Sequence, residues 1–224
     1  MPNSANKPVR TTAKDRREAI AELLLRLRAM GLPYPLMAAF ESVPRQNFVP
    51  IMYLDESYGH GQLPIECGQS MPSADQVARV LLALGVEKHH RVLEIGTGTG
   101  YQAALLGHLG KKVTSLERFR TLADKARQRL AALGIDNVVI ELADGTKGKK
   151  GQVFDRILVN FAVGDDVSFL TDQLASDGCA IAPVGPADGR QMLTRFSKKG
   201  SRVKSENLFA VRVQPPLKGL SAAI

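Results

Sequence analysis

The stretch RVLEIGTGTGYQAALL, residues 91–106, constrains the fold more than any other part of this chain. It passes from a short apolar run through a glycine-rich turn into a helical pattern, and strand and helix patterns then alternate up to residue 184. Alternation of this kind is typical of a parallel sheet covered by helices on both faces. The sequence therefore predicts an α/β fold with a doubly wound, mostly parallel sheet.

The patterns also predict the order of elements. Apolar runs predict strands at residues 91–95, 112–117, 138–142, 154–160 and 179–184. Helical spacing predicts helices between them at residues 101–109, 121–133 and 166–174. Two last strand patterns, at 191–196 and 208–213, have only a predicted long turn at 198–207 between them, so they should pair antiparallel.

The part of the chain before the sheet is predicted to be helical, with an irregular segment in it. Apolar residues at helical spacing predict helices at residues 15–30, 35–42 and 75–84, and residues 44–74 read as irregular. With 224 residues, the chain is long enough for one α/β domain and short for two. We expect a disordered tail at 1–12 and a single domain at 13–224, made of a helical and substrate-loop region (13–90) and a cofactor-binding sheet (91–224).

Composition limits the location and the partners. No apolar run approaches the ~20 residues of a membrane span, and the polar N-terminus lacks the apolar core of a secretory signal. Cys67 and Cys179 are far apart, and no Cys or His group has the spacing of metal ligands. We therefore expect reduced thiols, a cytoplasmic protein, no membrane partner and no metal.

The net charge of +8 leaves two interpretations open. Basic clusters at 147–150 and 198–204 could attract an anionic partner, or they could be solvated turns. The chain has no Trp and only four Tyr and eight Phe, so nothing suggests a surface for stacking bases. We do not expect nucleic acid as a partner, and we expect a monomer.

The glycine-rich turn is a candidate cofactor site. Gly96, Gly98 and Gly100, with Thr97 among them, allow the backbone to approach a ligand closely at the carboxyl end of the first parallel strand. A dinucleotide-binding turn would need glycine at position 101, where this chain has Tyr101. The spacing therefore favours a nucleotide-like cofactor that does not rest a pyrophosphate on the helix N-terminus.

Three acidic residues narrow the choice of cofactor. Glu94 lies in the first strand, Glu117 ends the second, and Asp144 with Gly145 follows the third. An acid at the end of the second strand can accept ribose hydroxyls. Asp144 can accept the exocyclic amine of an adenine, whereas Glu94 would repel a phosphate and suit an amino group. Together the acids favour adenosine that carries an amino acid, and S-adenosylmethionine fits this description.

The motifs also resemble those of a known family. The stretches VLEIGTGTGYQAALL, SLER, ADG and DGCAIAPVG, the upstream VPRQNFVP, LPI and GQ, and the terminal VRVQPPLKG are similar to protein-L-isoaspartate O-methyltransferases. The resemblance implies a class I methyltransferase fold that ends in an antiparallel hairpin. It implies methyl transfer from S-adenosylmethionine to the α-carboxylate of L-isoaspartyl residues in damaged proteins or peptides.

The resemblance further implies the roles of site residues. The cofactor would be held by residues in these motifs: Glu94, Gly96, Thr97, Gly98, Gly100, Glu117, Arg118, Asp144, Gly145 and Ser70. The acceptor would be held by the loop GQSMPSADQ at 68–76, where Gln69, Ser70 and Ser73 are the candidate catalytic residues.

The loop departs from the family pattern at two positions. Pro72 stands where the family has its active-site serine, which removes a hydroxyl and a backbone N–H. Glu66 replaces a glycine and would disfavour a carboxylate acceptor if it faced the site, whereas in a solvated loop position it would have no such effect. Two alternatives therefore stay open beside the isoaspartyl enzyme: a methyltransferase with another acceptor, and a non-catalytic protein that binds S-adenosylmethionine.

Overall fold

The structure is a computed structural model, and it describes residues 13–164, 166–186 and 188–221. The tail predicted at 1–12 lies outside the described residues. The three predicted N-terminal helices are confirmed to within two residues at each end, as α1 (Ala13–Ala29), α2 (Tyr34–Ser42) and α3 (Ala74–Leu84).

The segment between α2 and α3 is mostly irregular, as predicted, but it is not without structure. It contains short 3₁₀ turns at Arg45–Phe48, Ile51–Glu56 and Glu66–Gly68. A small antiparallel ladder joins β1 (Leu63–Pro64) to β2 (Ser70–Met71). The ladder folds the predicted substrate loop back on itself and so fixes where the start of α3 lies.

The sheet has seven strands. They are β3 (Arg91–Ile95), β4 (Lys112–Glu117), β5 (Val138–Leu142), β6 (Phe154–Val159), β7 (Leu174–Val184), β8 (Gln191–Lys199) and β9 (Arg202–Val211). The helices between them are α4 (Tyr101–Leu109), α5 (Arg120–Ala132) and α6 (Ser168–Asp172). The predicted α/β fold and its antiparallel C-terminal hairpin are confirmed.

The strand order β5-β4-β3-β6-β7-β8-β9 determines where a ligand can bind. From β3 the chain runs outward through β4 and β5 on one side, and then returns to place β6 on the other side of β3. Side chains of β3 contribute to both cores, with Val92 packed towards one face and Leu93 towards the other. In such sheets ligands bind in the crevice beyond the carboxyl ends of the strands at the reversal point, which here lies after β3.

Two predicted boundaries are wrong. The helix predicted at 166–174 ends at Asp172, because Leu174 already pairs with Phe154 of β6 and begins a strand that was predicted only from residue 179. The long turn predicted at 198–207 is also absent, because Lys198 pairs with Val203 and Lys199 with Arg202. Strand β9 lies at the sheet edge with residues 202–207 exposed, so it shows no alternation of apolar and polar residues.

In the described part of the chain, every helix is too short or too polar to cross a membrane.

Candidate functional site

The glycine turn after β3 depends on glycine for both its conformation and its packing. Gly96, Gly98 and Gly100 have φ values of 96°, 55° and 89°, a region that other residues rarely adopt. A Cβ on Gly96 would lie 3.2 Å from the Asn160 Cβ, and one on Gly100 would lie 3.0 Å from the Ala126 Cβ. The turn is tied to β4 by the Gly96 N–H, which donates to the Leu116 carbonyl at 2.8 Å.

A cavity opens at the carboxyl ends of β3, β4 and β6, and it brings most of the predicted site residues together. Of the predicted residues, those that line it are Gln69, Ser70, Gly96, Thr97, Gly98, Glu117, Arg118, Asp144 and Gly145. Three predicted residues do not line the cavity: Gly100, Glu94 and Ser73. Their side chains or backbone can therefore act on it only through neighbouring residues.

Glu117 ends β4 with its carboxylate oriented by backbone groups. It accepts the Gly98 N–H at 2.8 Å and the Phe119 N–H at 3.0 Å. Burial raises its pKa and outweighs these hydrogen bonds, which lower it. The carboxylate therefore lies against the glycine turn inside the cavity, as a site for hydroxyl donors requires.

Asp144 follows β5 and is bonded on both carboxylate oxygens. Oδ1 accepts the N–H and the hydroxyl of Thr146 at 2.9 and 2.7 Å, and Oδ2 accepts the Gly219 N–H at 2.8 Å. Desolvation opposes ionisation, but these hydrogen bonds outweigh it and lower the pKa of Asp144. The oxygen predicted to accept an adenine amine thus has a backbone N–H from the C-terminal segment as its partner.

Glu94 belongs to a buried network beneath the glycine turn. Its carboxylate accepts the Ser115 hydroxyl at 2.5 Å and the Asn160 amide at 3.3 Å. The Ser115 hydroxyl also meets the Thr97 hydroxyl at 2.5 Å, and Asn160 donates to the Gly96 carbonyl at 2.9 Å. Through Ser115 and Asn160, Glu94 therefore supports the first two residues of the turn, Gly96 and Thr97.

The environment of Glu94 favours the protonated carboxyl. Its side chain is fully buried, and burial raises its pKa to about 8, with the negative charge of Glu117 adding to the effect. The hydrogen bonds from Ser115 and Asn160 act in the opposite direction.

The loop at 68–73 is held mainly through its backbone. Gln69 donates its side-chain amide to the Cys67 carbonyl at 3.2 Å, and Gln214 reaches across from the C-terminal segment to the Gly68 carbonyl at 3.0 Å. The exposed Ser70 hydroxyl lies 3.5 Å from the Gln62 side-chain oxygen, a weak contact that leaves it available to a ligand.

Ser73, for which a catalytic role is predicted, caps a helix. Its hydroxyl accepts the Gln76 N–H at the first turn of α3, which makes Ser73 the N-cap of that helix. The side chain is buried and does not line the cavity that Gln69 and Ser70 line. Nothing in this geometry supports a catalytic role for Ser73.

Glu66 does not line the cavity. It forms a 2.6 Å ion pair with Lys125 on α5, and this contact with Lys125 helps to lower its pKa despite partial desolvation. Of the two interpretations of Glu66, the structure supports the one in which this carboxylate does not face the acceptor. The pair instead ties the 3₁₀ turn before the loop to the helix that flanks the glycine turn.

Comparisons with known proteins decide the family. The model of the family "Protein-L-isoaspartate(D-aspartate) O-methyltransferase (PCMT)" matches residues 18–219. The chain belongs to this family. The resemblance inferred from the motifs is thereby confirmed.

Curated relatives agree over nearly the whole chain. "Protein-L-isoaspartate O-methyltransferase 2" of Rhodopseudomonas palustris (strain HaA2) is 44% identical over 199 residues, which are 88% of this chain and 92% of the relative. A protein-L-isoaspartate O-methyltransferase of Azorhizobium caulinodans is 38% identical over 216 residues, which are 96% of this chain and 100% of the relative.

Solved structures of the family have the same fold. A structure described as a protein-L-isoaspartate O-methyltransferase superposes with a TM-score of 0.78 at 27% identity, over 90% of this chain and 67% of that one. A putative family member from Plasmodium falciparum, in complex with S-adenosyl-L-homocysteine, gives 0.75 at 21% identity over 88% and 98%. At that identity the second match speaks for the fold alone.

Two parts of the site were missed by the sequence reasoning. Arg45 lies within the motif VPRQNFVP, yet nothing in a single sequence indicates that its side chain lines the cavity. The C-terminal segment Pro215, Pro216 and Leu217 also lines it. Its motif VRVQPPLKG indicated the family but not this position.

The C-terminal segment is hydrogen-bonded to Arg118 and Asp144, two residues that line the cavity. The Arg118 guanidinium donates to the Gly219 carbonyl at 2.9 Å, and the Ser221 N–H donates to the Arg118 carbonyl at 3.1 Å. With the bond from Gly219 to Asp144, these contacts join the ends of β4 and β5 to the segment. Arg118, predicted to bind the cofactor, therefore also anchors the C-terminal segment, part of which lines the cavity.

A histidine pair outside the cavity has a third possible metal ligand that the sequence analysis overlooked. Glu87, His89 and His90 offer ligand atoms within 4.8 Å of one another. His90 Nδ1, however, accepts the Glu87 N–H at 2.8 Å, so the neutral ring carries its proton on Nε2. Neither ring nitrogen of His90 is then free to bind a metal without breaking this turn.

Proposed function

We propose that this protein transfers the methyl group of S-adenosylmethionine to the α-carboxylate of L-isoaspartyl residues in damaged proteins. The observation that carries the proposal is the family match over residues 18–219, which includes both the glycine turn and the loop at 68–73. The cavity adds chemical support, since Glu117 and Asp144 line it together with that turn and that loop.

The residues of the cavity fit this cofactor. Glu117 offers a carboxylate to hydroxyl donors, and Asp144 offers one to an amine, while the turn allows close approach of the backbone. Glu117 and Asp144 would repel a phosphate placed between them beside the glycine turn, which matches an adenosine that carries an amino acid. When bound, S-adenosylmethionine supplies a methyl group already activated by a positively charged sulfur.

The chemistry asks little of the protein beyond alignment. A peptide α-carboxylate has a pKa near ~3.5, so it is ionised at neutral pH and needs no general base. The protein must bring a carboxylate oxygen into line with the methyl group, and such positioning is worth up to ~7–11 kcal/mol in favourable cases. Gln69, Ser70 and the backbone of their loop are the groups that we assign to holding the acceptor.

We also propose that the protein acts as a cytoplasmic monomer on isoaspartyl proteins or peptides. The chain has only two cysteines, Cys67 and Cys179, and such sparse use of cysteine agrees with a reducing compartment. We treat residues 13–224 as one domain, with 13–90 as its substrate region. Support for this comes from the core on one face of the sheet, which contains Leu27 of α1 and Leu81 of α3 together with Leu106 of α4.

The proposal is tested by methyl transfer from labelled S-adenosylmethionine to a synthetic isoaspartyl peptide and to its normal aspartyl counterpart. We expect label in the isoaspartyl peptide alone. Labelling of other proteins or small molecules, with none in the isoaspartyl peptide, would mean a different acceptor. Cofactor binding by calorimetry without turnover on any acceptor would mean a non-catalytic binding protein. Either result would overturn the proposal.

A further inference from the structure

Arg45 is a buried cation in the wall of the cavity. Its side chain is 1% exposed, and it lies beside the loop that we assign to the acceptor. Nε donates to the Ser57 carbonyl and Nη2 donates to the Pro72 carbonyl, each at 2.7 Å. The guanidinium thus joins the segment after α2 to the point of the loop where the family has its active-site serine.

The charge of Arg45 has no carboxylate partner in the described part of the chain. The acid that acts on it through space, Asp75, is instead bound by Arg26 at 3.1 and 3.2 Å. The nearest compensation is Tyr101, whose hydroxyl interacts with the guanidinium and whose ring centroid lies 5.0 Å from the guanidinium carbon. Two carbonyls, a neutral hydroxyl and an aromatic ring carry no full negative charge, so the buried charge lacks a counterion.

One donor group of Arg45 is also unused. Nη1 is buried and has no hydrogen-bond partner among the described residues. A buried donor without a partner and a buried charge without a counterion both cost free energy. An anion that enters this cavity from the acceptor side would relieve both deficits at once.

We propose that Arg45 determines the preference of this cavity for an anionic acceptor. Its charge attracts the α-carboxylate of the isoaspartyl residue, and its bond to the Pro72 carbonyl sets the loop that receives this group. The inference rests on the proposed function and deepens it. Arg45 acts as a specificity-determining and positioning residue, while the methyl transfer itself needs no proton from it.

The test compares two peptides that differ only in charge. One carries the isoaspartyl α-carboxylate, and the other carries the neutral α-carboxamide at the same place. Their dissociation constants are measured by calorimetry in the presence of S-adenosyl-L-homocysteine, which prevents turnover. We expect the wild-type protein to bind the anionic peptide at least about tenfold more tightly than the neutral one, as for a charged hydrogen bond.

Variants then assign the preference to Arg45. Arg45→Gln should lose most of the ratio between the two peptides, and Arg45→Lys, which keeps the charge, should retain part of it. Arg28→Gln removes the same charge from an exposed position on α1 and should leave the ratio unchanged. Binding of S-adenosyl-L-homocysteine and the melting temperature show whether each variant is folded.

A retained ratio in folded Arg45→Gln would overturn the inference. Equal binding of the two peptides by the wild-type protein would overturn it as well, even if no variant folds. Failure of the proposed function looks different, because then the wild-type protein methylates no isoaspartyl peptide at all. A wild-type enzyme that methylates the peptide but keeps its anion preference without Arg45 would refute this inference alone.

Discussion

Pro72 is the residue that we predict to stand in place of the family's active-site serine in the substrate loop. It lines the cavity beside Ser70, and its carbonyl is held by Arg45. A proline there supplies neither a hydroxyl nor an N–H, so it cannot donate to an acceptor carboxylate. The loop retains the Ser70 hydroxyl and the backbone N–H groups that flank the proline.

We predict that Pro72→Ser increases kcat/KM for an isoaspartyl peptide by about tenfold, because it restores a hydroxyl donor that can bind and position the acceptor carboxylate. The measurement is the initial rate of labelled methyl transfer at several peptide concentrations. Pro35→Ser, at an exposed position on α2, serves as the control for a proline replaced far from the cavity. An unchanged or lower kcat/KM in Pro72→Ser would show that the loop does not need this hydroxyl.

Ser73 determines where α3 begins. Its hydroxyl caps the first turn, and Gly85 ends the helix in the left-handed conformation with φ of 60°. The helix packs Val77 and Leu81 into the core beneath the loop. The position of the loop therefore depends on the start of this helix.

We predict that Ser73→Ala lowers the free energy of unfolding by about 1 kcal/mol, the usual cost of losing an N-cap. Urea denaturation measures this change. Because the side chain does not line the cavity, kcat for the isoaspartyl peptide should stay within about twofold of wild type. A large loss of kcat with little loss of stability would instead favour the catalytic role predicted from the sequence.

The C-terminal segment is the second element on which the cavity depends. Gly219 bonds to Asp144 and Arg118, and Leu217 lines the cavity. We predict that removing residues 218–224 speeds dissociation of S-adenosyl-L-homocysteine by at least about fivefold, because the segment that lines the cavity loses its hydrogen bonds to Asp144 and Arg118. Stopped-flow dissociation measures the rate. An unchanged rate would mean that the segment does not retain the ligand.

Some elements could be predicted from the sequence and others could not, for physical reasons. Strands β3, β4 and β5 were predicted with the right bounds. Strands β3 and β4 are almost entirely buried, whereas in β5 only Ile140 is buried and the run of Val138, Val139 and Ile140 provides the signal. The hairpin of β8 and β9 was predicted too short, because an exposed edge strand can carry charged residues without breaking its ladder. Pairing between Leu174 and Phe154 is non-local and leaves no local signal.

The same distinction holds for the site. The acids Glu117 and Asp144, which line the cavity, were predicted as cofactor-binding residues because Glu117 ends β4 and Asp144 follows β5 at the same edge of the sheet. Arg45 was missed because its approach to Pro72, 27 positions further along the chain, depends on how the segment between them folds back. The burial of Glu94 under the turn was also missed, since one strand shows no alternation when both of its faces are covered.

Glu94 makes the free energy of unfolding of the whole protein depend on pH. Its pKa is about 8 in the folded protein and about 4.5 when unperturbed. Between these values the folded protein binds a proton that the unfolded chain does not, so the free energy of unfolding falls as pH rises. The decline should begin near pH 5 and level off above pH 8.

We predict that wild type loses roughly 2–4 kcal/mol of unfolding free energy through Glu94 between pH 5.5 and pH 8.5. The loss of unfolding free energy in Glu94→Gln, whose side chain cannot ionise, should be smaller than in wild type by that amount. Exposed Glu41 provides a matched control, and Glu41→Gln should follow wild type. Urea denaturation at the two pH values makes the comparison. Parallel losses in all three proteins would contradict the assignment of a protonated Glu94.

The central claim is that this family member, despite Pro72, methylates the isoaspartyl α-carboxylate. The most direct measurement follows the peptide itself, by chromatography, through repeated turnover with S-adenosylmethionine. Methylation converts the α-carboxylate into a methyl ester. The neighbouring backbone nitrogen attacks the ester carbonyl and methanol leaves, which forms a succinimide whose hydrolysis returns some normal aspartyl linkage. We predict that the amount of normal aspartyl peptide rises as the amount of isoaspartyl peptide falls. An isoaspartyl peptide that persists unchanged, with cofactor bound to the protein, would contradict it.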